Sequence, residues 1–237
     1  MVQRHAFLAL TNPAPGREDD YNAWYDEHHL REVVEFGVGM KGGRRFRLAD
    51  TQRAGPEPPW RYIAWYDLEV DDLEAYHRAP WRADTPPLKP FKGLVAEDYS
   101  AWVLTQMGEA IGDDGAGGFA KGCPRGDDFL FMALTNAGQG QGAAFNAWYA
   151  QNHLPEIVAA LPGFDAGVRL RTAEHQRPNQ TVPPWRYVAA YAVRAPSAAA
   201  VHDNAKGVVT LTRPPPGALD PHHLAWLYEP IGPYLEL

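Results

Sequence analysis

The chain has 237 residues, 45% of them hydrophobic and 22% charged, an ordinary globular composition that can bury a core without disulfides or structural metal. A net charge of −7 argues against a nucleic-acid partner, since Arg44, Arg45 and Arg47 form the densest basic cluster and are too few. The single cysteine, Cys123, excludes an internal disulfide and a cysteine zinc site and points to a reducing, cytoplasmic compartment. The opening run Ala6-Phe7-Leu8-Ala9-Leu10 is too short for a signal peptide core, and no stretch reaches a membrane span, so no membrane partner is expected.

In chain order, Phe7 to Thr11 reads as a short apolar strand that ends at a turn-forming Asn12. Tyr21, Trp24, Tyr25, His28, Val33 and Phe36 follow at helical spacing, and Gly37 and Gly39 stop that helix. Gly43 to Leu48 and Arg61 to Leu68 read as strands, Asp71 to Arg78 as a short helix, and Ala101-Trp102 as part of a last strand. The stretch from Gly108 to Asp128 carries Gly112, Gly115, Gly117, Gly118, Gly122 and Gly126, a density that predicts a flexible connection. The same order then repeats: strand Phe129 to Thr135, helix Phe145 to Ala160 ended by Pro162-Gly163, strands Gly167 to Thr172 and Arg186 to Val193, helix Ser197 to Ala205, and strand Ala225-Trp226.

The repeat is a duplication. A shift of 124 residues lays Asn22-Ala23-Trp24-Tyr25 on Asn146-Ala147-Trp148-Tyr149 and His29-Leu30 on His153-Leu154. Between Ala9 and Arg47 it gives 17 identities in 39 ungapped positions, where chance gives roughly two or three. One inserted residue brings Pro58-Pro59-Trp60-Arg61-Tyr62 onto Pro183-Pro184-Trp185-Arg186-Tyr187 and His77 onto His202. The expected fold class is therefore α+β, with two tandem ferredoxin-like βαββαβ repeats (residues 1–110 and 127–237) and a Gly-rich linker at 111–126. The third strand is apolar on both faces, Tyr62, Ala64 and Tyr66 on one and Ile63 and Trp65 on the other. One face must meet helices and the other the duplicate sheet, which predicts an intramolecular α+β barrel around an enclosed space.

The run from Thr11 to Leu30, with its Trp-Tyr-x-x-x-His-Leu core, resembles EthD-like proteins of the dimeric α+β barrel superfamily. The second half resembles that family's helix end through His153-Leu154-Pro155-Glu156 and Leu161-Pro162-Gly163-Phe164. The first half departs from it at Arg31 and at Phe36-Gly37-Val38-Gly39. The resemblance implies a fold and a pocket rather than one reaction. Relatives include cofactor-free monooxygenases, cyclases, decarboxylases, dehydratases, isomerases and, in a tandem-repeat branch, haem enzymes. It also leaves room for a further homodimer.

His29 and His153 are the leading catalytic candidates, each four residues after a tyrosine (Tyr25, Tyr149) and so on a shared helix face. The plainer account is that each imidazole ties its helix to the sheet, which a duplication would equally preserve. Arg45 and Arg47, like Arg169 and Arg171, alternate along a strand and share a face, where Arg45 could stabilise an oxyanion; a solvated edge strand is the competing and preferred account. Asp26, Glu27 and His28 are replaced by Ala150, Gln151 and Asn152, so ionisable neighbours survive only beside His29, although surface drift explains Asp26 and Glu27 as well. Adjacent His28 and His29 diverge around the helix, so no metal is expected. His77, His202, His222 and His223 read as surface residues. Tyr62, Tyr66, Trp102, Arg169, Tyr187, Tyr191 and Trp226 are candidates to line a substrate pocket. With no nucleotide fingerprint, catalytic Cys arrangement or Gly-x-Ser-x-Gly, the expectation is a cofactor-independent lyase, dehydratase or isomerase acting on a small aromatic or polyketide-like molecule. Cofactor-free oxygenation, haem chemistry and non-catalytic binding of an aromatic ligand are the alternatives.

Overall fold

The computed structural model describes residues 3–236 except 54, 57, 91, 114, 116, 117, 178–181 and 207–210. Eight strands close into an antiparallel barrel. In the first half, β1 (Arg4–Thr11), β2 (Met40–Leu48), β3 (Tyr62–Glu69) and β4 (Ser100–Gln106) lie side by side in the order β4-β1-β3-β2. The first helix, α1 (residues 18–36), connects β1 to β2, and the short helix α2 (Leu73–Arg78) follows β3. A two-residue strand, β5 (Ile111–Gly112), then precedes the second half. There β6 (Phe129–Thr135), α3 (residues 142–160), β7 (Phe164–Thr172), β8 (Tyr187–Val193), α4 (Ala198–Lys206) and β9 (Leu224–Glu236) follow in turn. Their strands lie in the order β9-β6-β8-β7, and the pairings β2–β9 and β4–β7 join the halves into a closed ring. β9 is the longest strand because it pairs with β6 through Leu224 to Tyr228 and with β2 from Tyr228 to Glu236.

Alternation along each strand separates two environments. Leu8, Leu10, Phe46, Ile63, Trp65, Trp102 and Leu104 point into the barrel together with Leu130, Met132, Leu134, Val188, Trp226 and Tyr228, all of them buried. This corrects the expected enclosed space. The interior is a packed core, in which buried Trp102 and Trp226 meet half-buried Trp60 and Trp185 with centroids 5.3–6.2 Å apart. The opposite faces, carrying Phe7, Tyr62, Tyr66 and Val103 in one half and Phe131, Tyr187, Tyr191 and Val193 in the other, pack beneath the helices.

The linker also departs from expectation. Ile111 and Gly112 pair with Gly167 and Ala166 of β7. Phe119 and Cys123 are buried in the barrel core, with Phe119 6.0 Å from the Trp65 ring. The Cys123 amide donates to the Asp67 carboxylate at 2.7 Å, and Tyr234 of β9 donates to the same group at 2.6 Å. Burial pushes the Asp67 carboxyl up to about 6. Glycine density here permits tight winding rather than slack; of the glycines named above, Gly117 lies outside the described residues. Replacing Phe119 by Ala should therefore cost about 3 kcal/mol or more, read as a lower urea midpoint. A slack tether would show no shift.

Candidate active site

Each long helix carries a π-helical turn at the same place: Tyr25–His29 in α1 and Tyr149–His153 in α3. Widening the turn brings residues five apart nearly into line, which an α-helix does not. His29 accordingly stacks on Trp24 (centroids 4.2 Å, planes 17° apart) and meets Tyr25 edge-on at 5.1 Å. His153 repeats this with Trp148 at 4.5 Å and Tyr149 at 4.8 Å. Burial, aided by the nearby Arg45 charge, lowers the His29 pKa to about 4; burial also lowers His153 to about 4, against the opposing charge of Glu156.

Arg45 lies under this turn, not on an edge strand and not in a substrate pocket. β2 is paired on both sides, and the Arg45 side chain is 2% exposed. Its guanidinium donates to Asp26 at 2.5 Å and to Asn22 at 2.6 Å, and sits 4.4 Å from the Tyr25 ring centre. Arg169 makes the same cage with Asn146 at 2.9 Å and Tyr149 at 4.4 Å, where Ala150 stands in the place of the acid. Asp26 is therefore the counter-ion of a buried cation rather than drift on a surface turn. Arg47 and Arg171 are more exposed and pair with Glu229 and Glu174.

A cavity of about 400 Å³ opens between α1 and the outer face of the first-half sheet. Trp24, Tyr25, His29 and Val33 line it from the helix, and Phe7, Tyr66 and Ala101 from the strands. Tyr76 and His77 of α2, with Trp81, Leu88, Lys89, Val95 and Tyr99, complete its walls, and Arg177 reaches it from the other half. The sequence reading put His77 at the surface, but here it is half-buried, with Nε2 3.1 Å from the His175 carbonyl. Tyr66 lines the cavity. Tyr62 instead donates to Glu18 beneath the helix, and Trp102 and Trp226 are locked in the barrel.

Among the described residues, larger side chains occupy the matching positions of the second half. Val33, Gly37 and Met40 correspond to Ile157, Leu161 and Phe164, and Tyr76 corresponds to Val201. Phe164 packs 5.5 Å from Phe131 and 5.7 Å from Tyr191, and Tyr191, Tyr187 and Tyr149 are buried in the same cluster.

Glu32 was not singled out from the sequence, although it recurs as Glu156. The Glu32 Oε1 accepts the Lys89 amide at 3.1 Å, while its Oε2 is buried, without a hydrogen-bond partner, and 3.9 Å from the equally unpartnered Nδ1 of His29. In the second half both oxygens of Glu156 are taken by Thr212, through its amide at 2.7 Å and its hydroxyl at 2.5 Å. The cavity half thus differs in keeping one carboxylate oxygen, Glu32 Oε2, without a hydrogen-bond partner beside its histidine. The buried Nδ1 edge leaves the ring's other edge, with Nε2, as the part of His29 that accounts for its 21% exposure.

Among the described residues no group of three or more His, Cys, Asp or Glu could hold a metal, and no helix is long and apolar enough to cross a membrane.

Both helix histidines are neutral at pH 7 and become charged in the fold only near pH 4, whereas the unfolded chain protonates them near 6.5. Their contribution to stability is therefore complete above pH 6.5 and is lost as the pH falls toward 4, by up to about 3 kcal/mol each. Proton NMR should show two imidazoles titrating near pH 4, each silenced by His29→Ala or His153→Ala. A midpoint near 6.5 for either would contradict this.

No family model matches the chain, and no curated relative does. Solved structures do. An anthrone oxidase-like protein aligns over 99% of this chain and 93% of its own at 15% identity, with a TM-score of 0.53. A proposed monooxygenase from Fusobacterium nucleatum subsp. nucleatum aligns over 99% and 94% at 6% identity and a TM-score of 0.60. Chlorite dismutase from Candidatus Nitrospira defluvii aligns over 96% and 91% at 8% identity and 0.53. At such identities the likeness speaks for the fold alone: this chain has the dimeric α+β barrel fold, closed within one polypeptide.

Proposed function

We propose that the chain is an enzyme that abstracts a proton from a flat, enolisable or phenolic molecule bound in the first-half cavity, with His29 as the base. The observation that carries this reading is the pairing of a neutral, cavity-facing imidazole with the unpartnered Glu32 carboxylate behind it. Nδ1–H faces Glu32, which leaves the Nε2 lone pair toward the cavity. As Nε2 takes the proton, the growing imidazolium charge is met by the carboxylate, which needs to close only from 3.9 Å to hydrogen-bond distance. An imidazole whose conjugate acid has a pKa of about 4 removes protons usefully only from acidic positions, such as a carbon between a carbonyl and an aromatic ring. The aromatic walls of Phe7, Trp24, Tyr66, Tyr76 and Trp81 suit such a substrate.

Elimination or isomerisation completes the lyase or isomerase reading. The names of two fold neighbours, an anthrone oxidase-like protein and a proposed monooxygenase, favour a second reading in which the same carbanion is oxidised by dioxygen. Ancestry fits the EthD-like branch, built by duplication of a ferredoxin-like unit. The recurring strand order, π-turn and Arg–Tyr cage support that descent.

Hydrogen–deuterium exchange on planar enolisable ketones, beginning with anthrone, reads the proton step whichever chemistry follows. His29→Ala should slow exchange by about a hundredfold or more and Glu32→Gln by about tenfold, while His153→Ala acts through stability. Exchange no faster than in buffer, or equal losses at His29 and His153, would sink the proposal. Oxygen uptake during turnover separates the two readings.

A further inference from the structure

We infer that the cavity's ligand is an anion: a flat aromatic acid whose charged group sits at the mouth beside Lys89 and Arg177 while its rings lie within. The inference rests on the first-half cavity being the functional site and adds the charge class of what enters it. The chain as a whole is acidic, with 29 Asp and Glu against 22 Lys and Arg. The cavity walls reverse that balance, with two cations, two histidines and no carboxylate among the lining residues. Neither the Lys89 ammonium nor the Arg177 guanidinium has an ion-pair partner among the described residues, although most other arginines facing solvent in this chain do.

Both cations are placed by defined contacts. Arg177 follows Gln176, whose amide donates to the Val103 carbonyl at 2.7 Å and the Ala173 carbonyl at 3.0 Å, while its oxygen accepts the Val103 amide at 2.9 Å. That clamp carries a second-half loop across β4 to the first-half cavity. The backbone of Lys89 is held between Glu32, which accepts its amide, and Trp24, whose indole donates to its carbonyl at 3.3 Å. A reciprocal clamp holds the first-half loop at Gln52, which precedes Arg53, onto Leu227 of β9, so an arginine after such a clamp is not peculiar to the cavity. The lysine is. Its counterpart, held by Trp148 and Glu156 in the same way, is the uncharged Thr212, in the half with the larger side chains. Two cationic residues without an ion-pair partner among the described residues thus line the first-half cavity, and an anion entering it gains from both charges.

Two fluorescent probes of one skeleton test this: anilinonaphthalene sulfonate and its uncharged parent, phenylnaphthylamine, titrated into the full-length protein. The sulfonate should bind about tenfold or more tightly than the parent, an advantage that added salt erodes. In the double variant Lys89→Gln, Arg177→Gln the two probes should bind within about twofold of each other, with the parent's affinity unchanged. Met40→Phe, which copies Phe164, should weaken both. A sulfonate that binds no better than its parent, or as well to the double variant, overturns the inference while leaving the cavity reading standing. If neither probe binds, or Met40→Phe changes neither, the cavity reading fails and this inference with it.

Discussion

Each half of the chain makes a four-stranded sheet that is apolar on both faces, and one helix layer covers only one of them. The uncovered faces can be buried only against each other, and the β2–β9 and β4–β7 pairings fix that arrangement as a closed ring. Everything else follows from where this leaves room. A barrel of eight strands has an interior just wide enough for side chains to fill. Here aliphatic side chains together with Trp65, Trp102, Trp226 and Tyr228 fill it, and Phe119 of the linker packs on Trp65 within it. A ligand site must then lie outside the barrel wall, under the helices, where the seal depends on individual side chains rather than on closure of the sheet.

That layer has its own fixed element. A guanidinium buried against three aromatic rings in each half sits directly beneath the π-turn. A buried cation costs several kcal/mol unless hydrogen-bonded and paired, and Asn22 and Asp26 meet that need in the first half. The cage holds the helix at the point where the histidine leaves it, and its positive charge helps keep the imidazole neutral. Arg45 therefore acts on His29 through position and field, which is a different task from touching a substrate.

The α+β barrel and its facing sheets were legible because they depend on period-two alternation and on strands that are apolar on both faces. The pairing of His29 with Tyr25 was visible as well. The π-turn was not, since helical periodicity presumes 3.6 residues per turn; the recurrence of Trp and His five apart, Trp24 to His29 and Trp148 to His153, was the signal that could have revealed it. Arg45 and Arg169 read as edge charges because alternation gives a face but not what covers it. Glu32 was overlooked because it differs from Glu156 through its partner, Lys89 instead of Thr212, far away in sequence. The location of the cavity depended on side-chain volume at Val33, Gly37 and Met40, positions first read only as helix face and terminator.

Volume also explains why one half can hold the site. Leaving about 400 Å³ unfilled sacrifices packing worth up to about 10 kcal/mol if the space were dry, as large as the whole stability of many small domains. In a symmetric dimer of single units the same opening must occur twice, because both sheets carry one sequence. Joining the units in one chain removes that requirement. Ile157, Leu161 and Phe164 could close the second half while Glu156 was drawn onto Thr212, and the shared barrel core lets that tighter half support the open one. The segment Leu161-Pro162-Gly163-Phe164 carries two of those larger side chains, Leu161 and Phe164. The departures at Gly37 and Met40 are what keep the first half open.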